Sequence, residues 1–316
     1  MDGSKINQDW YGSDARIIAQ EPDCTVIDYG CADRGIVTNY NLFDGIQLSF
    51  LDFDTGANFP SQKFNSDIIT ISHCMAGRYE CEFPNHTMAY LPEGSFSVNG
   101  TKYLPVSFSF PLHKYQGLSL VIDKQSLPDG VHRMMEILPI DLAEIGETLE
   151  LEKHWYVNVT PPKLQHLFTE IYDAKGVEQI GYFRIKAMEL LYHIDQLTQN
   201  NGCDFKYFDK GQIQATKQIR EYLVSHLNNK TSLEQLAKNF HINLSVFHTV
   251  FAQIYGDTPY AHIKKYKMNL AAQLLLENKK RIVDIAMELG YSNPSKFAKA
   301  FQSVYGVLPK EYRKNK

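Results

Sequence analysis

A chain of 316 residues, 44% hydrophobic and 22% charged, has the make-up of an ordinary globular protein and length enough for two domains with a core each. No run approaches 18 uninterrupted apolar residues, and Met1 to Gln8 are polar, so neither a membrane span nor a signal or transit peptide is expected. The net charge of −4 hides a division: residues 210–316 hold 17 Lys and Arg against 7 Asp and Glu, while residues 1–209 hold 15 against 29. A basic block beside an acidic one implies two jobs, the basic block facing a polyanion and the acidic block staying off it. Cys24, Cys31, Cys74, Cys81 and Cys203 are odd in number, and without a secretion signal they read as free thiols of a reducing cytoplasm.

Taken in chain order, residues of about 10–160 read as β-structure. Asp67 to Cys74 and Arg78 to Phe83 alternate in character with period two, and Met75-Ala76-Gly77 between them predicts a hairpin turn. Further short strands are expected at Met88–Leu91, Ser95–Val98, Val106–Leu112 and Leu118–Ile122, punctuated by Pro92-Glu93-Gly94, Asn99-Gly100 and Gln116-Gly117. Many short strands with frequent turns suggest a sandwich or small barrel.

A metal enzyme on such a frame needs His and Glu clustered on adjacent strands, and no His-x-His with a following Glu is present. His73, Cys74, Cys81 and His86 come nearest to a ligand set. On a hairpin, however, His73 and Cys74 point to opposite faces, so no metal site and no cofactor are expected. The pattern puts Ile69, Ile71 and His73 on one inward face with Tyr79, Cys81 and Phe83 of a partner strand. His73 is then a satisfied core histidine or, with Tyr79 and Cys81, a polar fixture of a small-molecule pocket.

A helical segment follows. Leu164, Leu167, Phe168 and Ile171 make one apolar stripe, and Ile180, Phe183, Ala187, Leu190, Leu191, Ile194 and Leu197 a longer one. These stripes either pack on the β-structure or form a seam between two copies of the chain. Gln199 to Asp204 is polar with a glycine and reads as a short linker.

The last third is a pattern written twice. Leu233, Leu236, Ala237 and Phe240 recur 49 positions later as Ile282, Ile285, Ala286 and Leu289. Ser245, Phe247, Phe251, Tyr255, Gly256 and Pro259 recur 50 positions later as Ser295, Phe297, Phe301, Tyr305, Gly306 and Pro309. In each copy a short helix and a brief turn lead into a second helix. In the first copy Ser232 with Gln235 makes a capping box, and Ser245 is expected to cap the second helix, which buries Phe247, Val250, Phe251 and Ile254 and stops at Gly256. In the second, Pro294 opens a helix burying Phe297, Ala300, Phe301 and Val304 and ending at Gly306. Pro259 to Asn278 join the copies as one long helix. Two helix-turn-helix units held on one rigid helix suit two reading heads, each placing its second helix in a DNA major groove.

The run Ile282-Val283-Asp284-Ile285-Ala286-Met287-Glu288-Leu289-Gly290-Tyr291, with Tyr305-Gly306 and Pro309 beyond it, resembles the DNA-binding domain of the AraC/XylS family of bacterial transcription regulators. The resemblance implies an α+β chain of two domains. Residues 1–160 would be a cupin-like sensory barrel, 161–200 a helical dimerisation segment, 201–209 a linker and 210–316 an all-α double helix-turn-helix. It implies a cytoplasmic, sequence-specific regulator, an activator and not an enzyme, that binds double-stranded DNA as a homodimer, contacts RNA polymerase and answers a small-molecule effector. By position, the family's base-contacting residues fall at Ser245, His248 and Thr249 in the first head and at Asn293, Ser295, Lys296 and Lys299 in the second. The first head lacks the Arg or Lys that the family often places there, which makes it a weaker or different reader. Lys296 and Lys299 serve either phosphate or base. Lys264, Lys265 and Lys267 read as a solvated face. The alternative is a DNA-binding domain fused to a metal-dependent or alkyl-transfer enzyme domain. Alkyl transfer of that kind needs a tight four-cysteine zinc cluster, and Cys24, Cys31, Cys74 and Cys81 lack the short paired spacing.

Overall fold

The computed structural model describes residues 15–30, 33–61, 66–176, 180–198, 207–228, 231–277 and 279–314. The expected linker up to residue 206, the polar start Met1 to Gln8, Cys31 and Cys203 lie outside them. The chain divides into two compact units, Met1–Tyr207 and Phe208–Lys316, the first α+β and the second all-α.

Unit 1 is antiparallel. Its strands are β1 (Arg16–Glu21), β2 (Cys24–Asp28), β3 (Arg34–Phe43), β4 (Ile46–Asp54), β5 (Asn58–Pro60), β6 (Ile68–Phe83), β7 (Thr87–Pro92), β8 (Ser95–Gly100), β9 (Ser107–Ser109), β10 (Lys114–Asp123) and β11 (Tyr156–Val159). The order β1-β2-β3-β4-β10-β6-β7 forms the main path. β8 pairs the first half of β6 and β11 pairs β8, while β9 pairs the second half of β6 and β5 pairs β9.

The hairpin expected at Met75-Ala76-Gly77 is absent, because β6 runs unbroken through it for 16 residues. Cys74 stands opposite Gly117 and Ala76 opposite Gln116, so Met75 is one extra residue on β6, a bulge. Gly77, at φ 86, lies so close to β10 that a Cβ there would come within 1.9 Å of the Lys114 carbonyl oxygen. The glycine that reads as a turn is therefore a bend that lets one strand leave β10 and β8 for β7 and β9. Gln116-Gly117, also expected as a turn, lies inside β10 at the same bulge, and Asn99-Gly100 ends β8.

An extra residue in a period-two strand sends every later side chain to the other face. Ile69 and Ile71 belong to one core, while Cys81 and Phe83 belong to another. The first core lies where the helices cover the sheet. Those helices are α1 (Asp129–Ile137), α2 (Leu142–Thr148), α3 (Pro162–Asp173) and α4 (Ile180–Thr198). The first two fall in a span read as β. Asp141, which accepts from the N–H groups of Ala143 and Glu144, is the capping signal overlooked there. Leu164, Leu167, Phe168 and Ile171 of α3 and Phe183, Ala187, Leu190, Leu191 and Ile194 of α4 are buried in this core with Leu48, Phe50, Leu118 and Leu120 of the sheet. Their apolar stripes are thus taken up within unit 1. The second core is aromatic: Phe53, Phe83, Phe110, Tyr115 and Trp155 are buried, with Tyr29, Phe59, Tyr79 and Phe108 packed on them.

Unit 2 consists of α5 (Lys210–Ser225), α6 (Leu233–Asn239), α7 (Leu244–Tyr255), α8 (Pro259–Glu277), α9 (Ile282–Glu288), α10 (Pro294–Tyr305) and α11 (Pro309–Lys314). The copies α6–α7 and α9–α10 are framed alike: α5 packs on α7 as α8 packs on α10. Met268, Ala271, Ala272 and Leu275 of α8 close over Ile285, Ala286, Leu289, Phe297 and Phe301 of the second copy.

Candidate nucleic-acid interface

Capping fixes where each second helix begins. In the first copy the cap is Asn243 rather than the expected Ser245: its Oδ1 accepts from Ser245 N at 2.9 Å and from Ser245 Oγ at 2.6 Å, and the helix begins at Leu244. Asparagine closes this hydrogen-bonded turn as well as serine does, so two polar residues two apart leave the start ambiguous by two positions. In the second copy Asn293 caps, accepting from Ser295 N at 2.8 Å and Lys296 N at 3.4 Å, with Pro294 next. The carboxamide oxygen of Asn293 is committed to the helix, leaving its NH2 for any outside partner. Ser232 caps α6 as expected, accepting from Gln235 N at 3.2 Å.

Inward, α7 buries Phe247, Val250, Phe251 and Ile254, and α10 buries Phe297 and Phe301. Val304, expected inside, is exposed. Outward, Ser245, His248 and Thr249 are all exposed on α7, as are Ser295, Lys296 and Lys299 on α10 and Asn293 before it. Lys296 and Lys299 form no ion pair among the described residues, whereas nearby cations do. Lys280 holds Glu288 at 2.5 Å, Arg281 holds Asp284 at 2.8 Å and Lys265 holds Asp257 at 2.8 Å. The outward face of α10 therefore carries uncompensated positive charge, and that of α7 carries none.

Lys267 departs from the solvated face expected of it. Its ammonium donates to the Leu227 carbonyl at 2.8 Å and lies 5.6 Å from the Tyr291 ring, and burial lowers its pKa. It ties the segment after α5 to the turn of the second copy, a role invisible beside two other lysines in a row. His262 is also structural. Arg220 Nε lies 3.4 Å from its Nε2, the Phe251 and Tyr255 rings pack on it, and burial, with help from the Arg220 charge, pushes its pKa down to about 4.

In unit 1 the three residues expected to share a pocket are not brought together. His73 faces the helices: its ring stacks on Phe168 at 4.2 Å, and its Nδ1 lies 3.2 Å from Tyr172 Oη, whose hydroxyl donates to the His73 carbonyl at 3.2 Å. Burial pushes its pKa down to about 4, against a smaller opposing contribution from Gln165. Tyr79 and Cys81 lie beyond the bulge in the aromatic core, Tyr79 stacked on Phe108 at 5.2 Å. Both acids are held protonated by burial. Among the described residues no three His, Cys, Asp or Glu are grouped to hold a metal ion, and no helix is long and apolar enough to cross a membrane.

Comparison with known proteins meets the chain at this same region. A helix-turn-helix domain family matches residues 236–315. The probable transcriptional regulator LumQ of Photobacterium leiognathi is 30% identical over 108 residues, 34% of this chain and 44% of that protein. The HTH-type transcriptional regulator ExsA of Pseudomonas aeruginosa is 32% identical over 100 residues, 32% of this chain and 36% of that protein. Among solved structures, the C-terminal domain of AraT, a response regulator from Geobacillus stearothermophilus, is 27% identical and covers 32% of this chain and 85% of that one, at a TM-score of 0.31. The matches to LumQ and ExsA thus span less than half the length of either relative. Through the doubled helix-turn-helix of its second unit, the chain is similar over residues 236–315 to the DNA-binding domain of AraC/XylS regulators.

Proposed function

We propose that the chain is a sequence-specific DNA-binding transcription regulator, acting as an activator, and not an enzyme. The observation that carries the reading is the unpaired Lys296 and Lys299 on the exposed face of a second helix, in a domain of 17 basic and 7 acidic residues. Ser245, His248, Thr249, Asn293, Ser295, Lys296 and Lys299 are the proposed DNA-facing set. The protein works in the cytoplasm on double-stranded DNA as a homodimer and engages RNA polymerase. With the inner faces of α3 and α4 consumed in the core, the dimer seam falls to outward residues of α4 such as Ile185 and Tyr192, which are 66% and 39% exposed.

Unit 1, proposed as a cupin-like sensor, would bind a small-molecule effector. His73 on one face and Tyr79 with Cys81 on the other are two separate places to seek it. Against alkyl transfer, burial pushes the Cys74 thiol up to about 12 and the Cys81 thiol well above its ordinary value, which suppresses the thiolate that such chemistry needs.

The test is binding of the full chain to random-sequence duplexes followed by recovery of the bound fraction. One enriched sequence class is expected, with affinity falling steeply between about 50 and 200 mM salt. Recovery of no sequence class, with binding flat across that salt range, would overturn the reading.

A further inference from the structure

The hydroxyls on the first reading helix are already engaged. Ser245 Oγ donates to Asn243 Oδ1 at 2.6 Å, and Thr249 Oγ1 donates to the Ser245 carbonyl at 3.1 Å. Neither has a proton left for a base. Gln253 is only partly exposed and has a partner of its own. On α10 the position 50 residues after Thr249 is Lys299, and that after Val246 is Lys296. Where the second head presents ammonium groups, the first presents the methyl of Thr249, that of Ala252 three residues on and the partly exposed Val246. His248 remains as its exposed side chain with a proton to give.

Side-chain methyls cannot read the donors and acceptors of guanine, cytosine or adenine. In the major groove a single base edge offers them a matching apolar group, the C5-methyl of thymine. We propose that Thr249 is a thymine-reading residue. Its methyl packs on a thymine C5-methyl, Ala252 extends the contact, and the first head selects A·T pairs while the second supplies charge to phosphate or guanine. The inference rests on the DNA-binding reading above and adds to it the base that one head selects.

The experiment starts from the duplex that the full chain enriches from random DNA, in which each thymine is replaced singly by deoxyuridine, removing one methyl and no hydrogen-bonding group. At one or two positions the replacement is expected to weaken binding about threefold to tenfold. Thr249→Ser keeps the hydroxyl and loses the methyl, so it should bind the thymine and uracil duplexes equally. Thr249→Val keeps the methyl and loses the hydroxyl, so it should retain the preference. The position is exposed, and circular dichroism checks that both variants fold. The proposal is overturned if no thymine shows a penalty, if the penalty survives in Thr249→Ser, or if Thr249→Val abolishes it, since the hydroxyl would then be the reader. Failure to enrich any duplex is a separate result that overturns the DNA-binding reading and this proposal together.

Discussion

The two helix-turn-helix copies of unit 2 have first helices of 7 residues and second helices of 12, with the same aromatic pair inside each. Outward, beyond the Asn243/Asn293 caps and Ser245/Ser295 at the helix starts, they differ. Phe247 and Phe251 match Phe297 and Phe301, and Tyr255-Gly256 match Tyr305-Gly306, whereas Val246 faces Lys296 and Thr249 faces Lys299 across the repeat. The contrast separates two kinds of constraint. Inward positions answer to packing, which tolerates little change of volume. Outward positions answer to whatever each head meets, and the two heads present different chemistry to it.

If the inward half of that comparison holds, Phe251→Ala and Phe301→Ala should be equivalent injuries. Both rings are fully buried, and each truncation should cost about 3–5 kcal/mol, read from urea unfolding of the full chain. A cost confined to one copy would break the symmetry, showing that α5 and α8 do not brace their copies alike.

The outward half is sharpened by charge. Lys296→Ala and Lys299→Ala should each weaken binding to the selected duplex about tenfold at low salt and flatten the salt slope by about one ion, while Thr249→Ala should leave the slope unchanged. Titrations at several salt concentrations measure both. Equal slopes for all three variants would mean that the cations on α10 face solvent in the complex.

The repeat was legible because leucine, phenylalanine and glycine recur at fixed spacing, and burial of those residues is what makes the helices pack. Unit 1 was legible in class and misread in detail. Period-two alternation on either side of Met75-Ala76-Gly77 looks the same whether the chain reverses or only bulges, and no local signal separates them, because the group that forces a glycine at position 77 is the Lys114 carbonyl on a distant strand. The misreading then propagated: a hairpin would have kept His73 with Tyr79 and Cys81, and a bulge parts them. Among the proposed DNA-facing residues, exposure followed from helical spacing. What spacing could not show is which polar groups are already spent, as with the Thr249 hydroxyl and the Asn293 oxygen.

A third difference between the copies is half-buried and titratable. His262 packs on Phe251 and Tyr255 in the slot that Tyr312, 50 positions later, fills against Phe301 and Tyr305. Its pKa is lowered from 6.5 to about 4, so between those values the unfolded chain binds the proton that the fold refuses. The stability it contributes is complete above pH 6.5, falls as the pH drops toward 4 and is level below. Allowing for partial solvent screening, that loss should amount to about 1–2 kcal/mol. His262→Tyr, which copies the second half, should remove it, as measured by urea unfolding at pH 7 and pH 5. His73 in unit 1 carries an acid loss of the same sign, so the quantity that decides is the difference between variant and wild type. An unchanged difference would mean that His262 is wetter than its packing implies.

The smallest effect lies in the turns. His241 holds φ 54 in the first copy, and 49 positions later Gly290 holds φ 81 in the second. The second copy needs its glycine twice over, since a Cβ on Gly290 would come within 2.6 Å of the Leu227 carbonyl, in the joint that Lys267 closes. In the first copy no such contact demands a small residue, and an exposed histidine sits in a conformation that disfavours side chains. Glycine there would relieve about 1 kcal/mol of backbone strain and give back part of it through the greater freedom of the unfolded chain. His241→Gly should therefore stabilise the protein by a few tenths of a kcal/mol, on the order of 0.5, seen as a small upward shift in the midpoint of urea unfolding. A loss of stability would mean that the imidazole makes a contact that outweighs its strain, and that the turns of the two copies are built on different principles despite their common backbone.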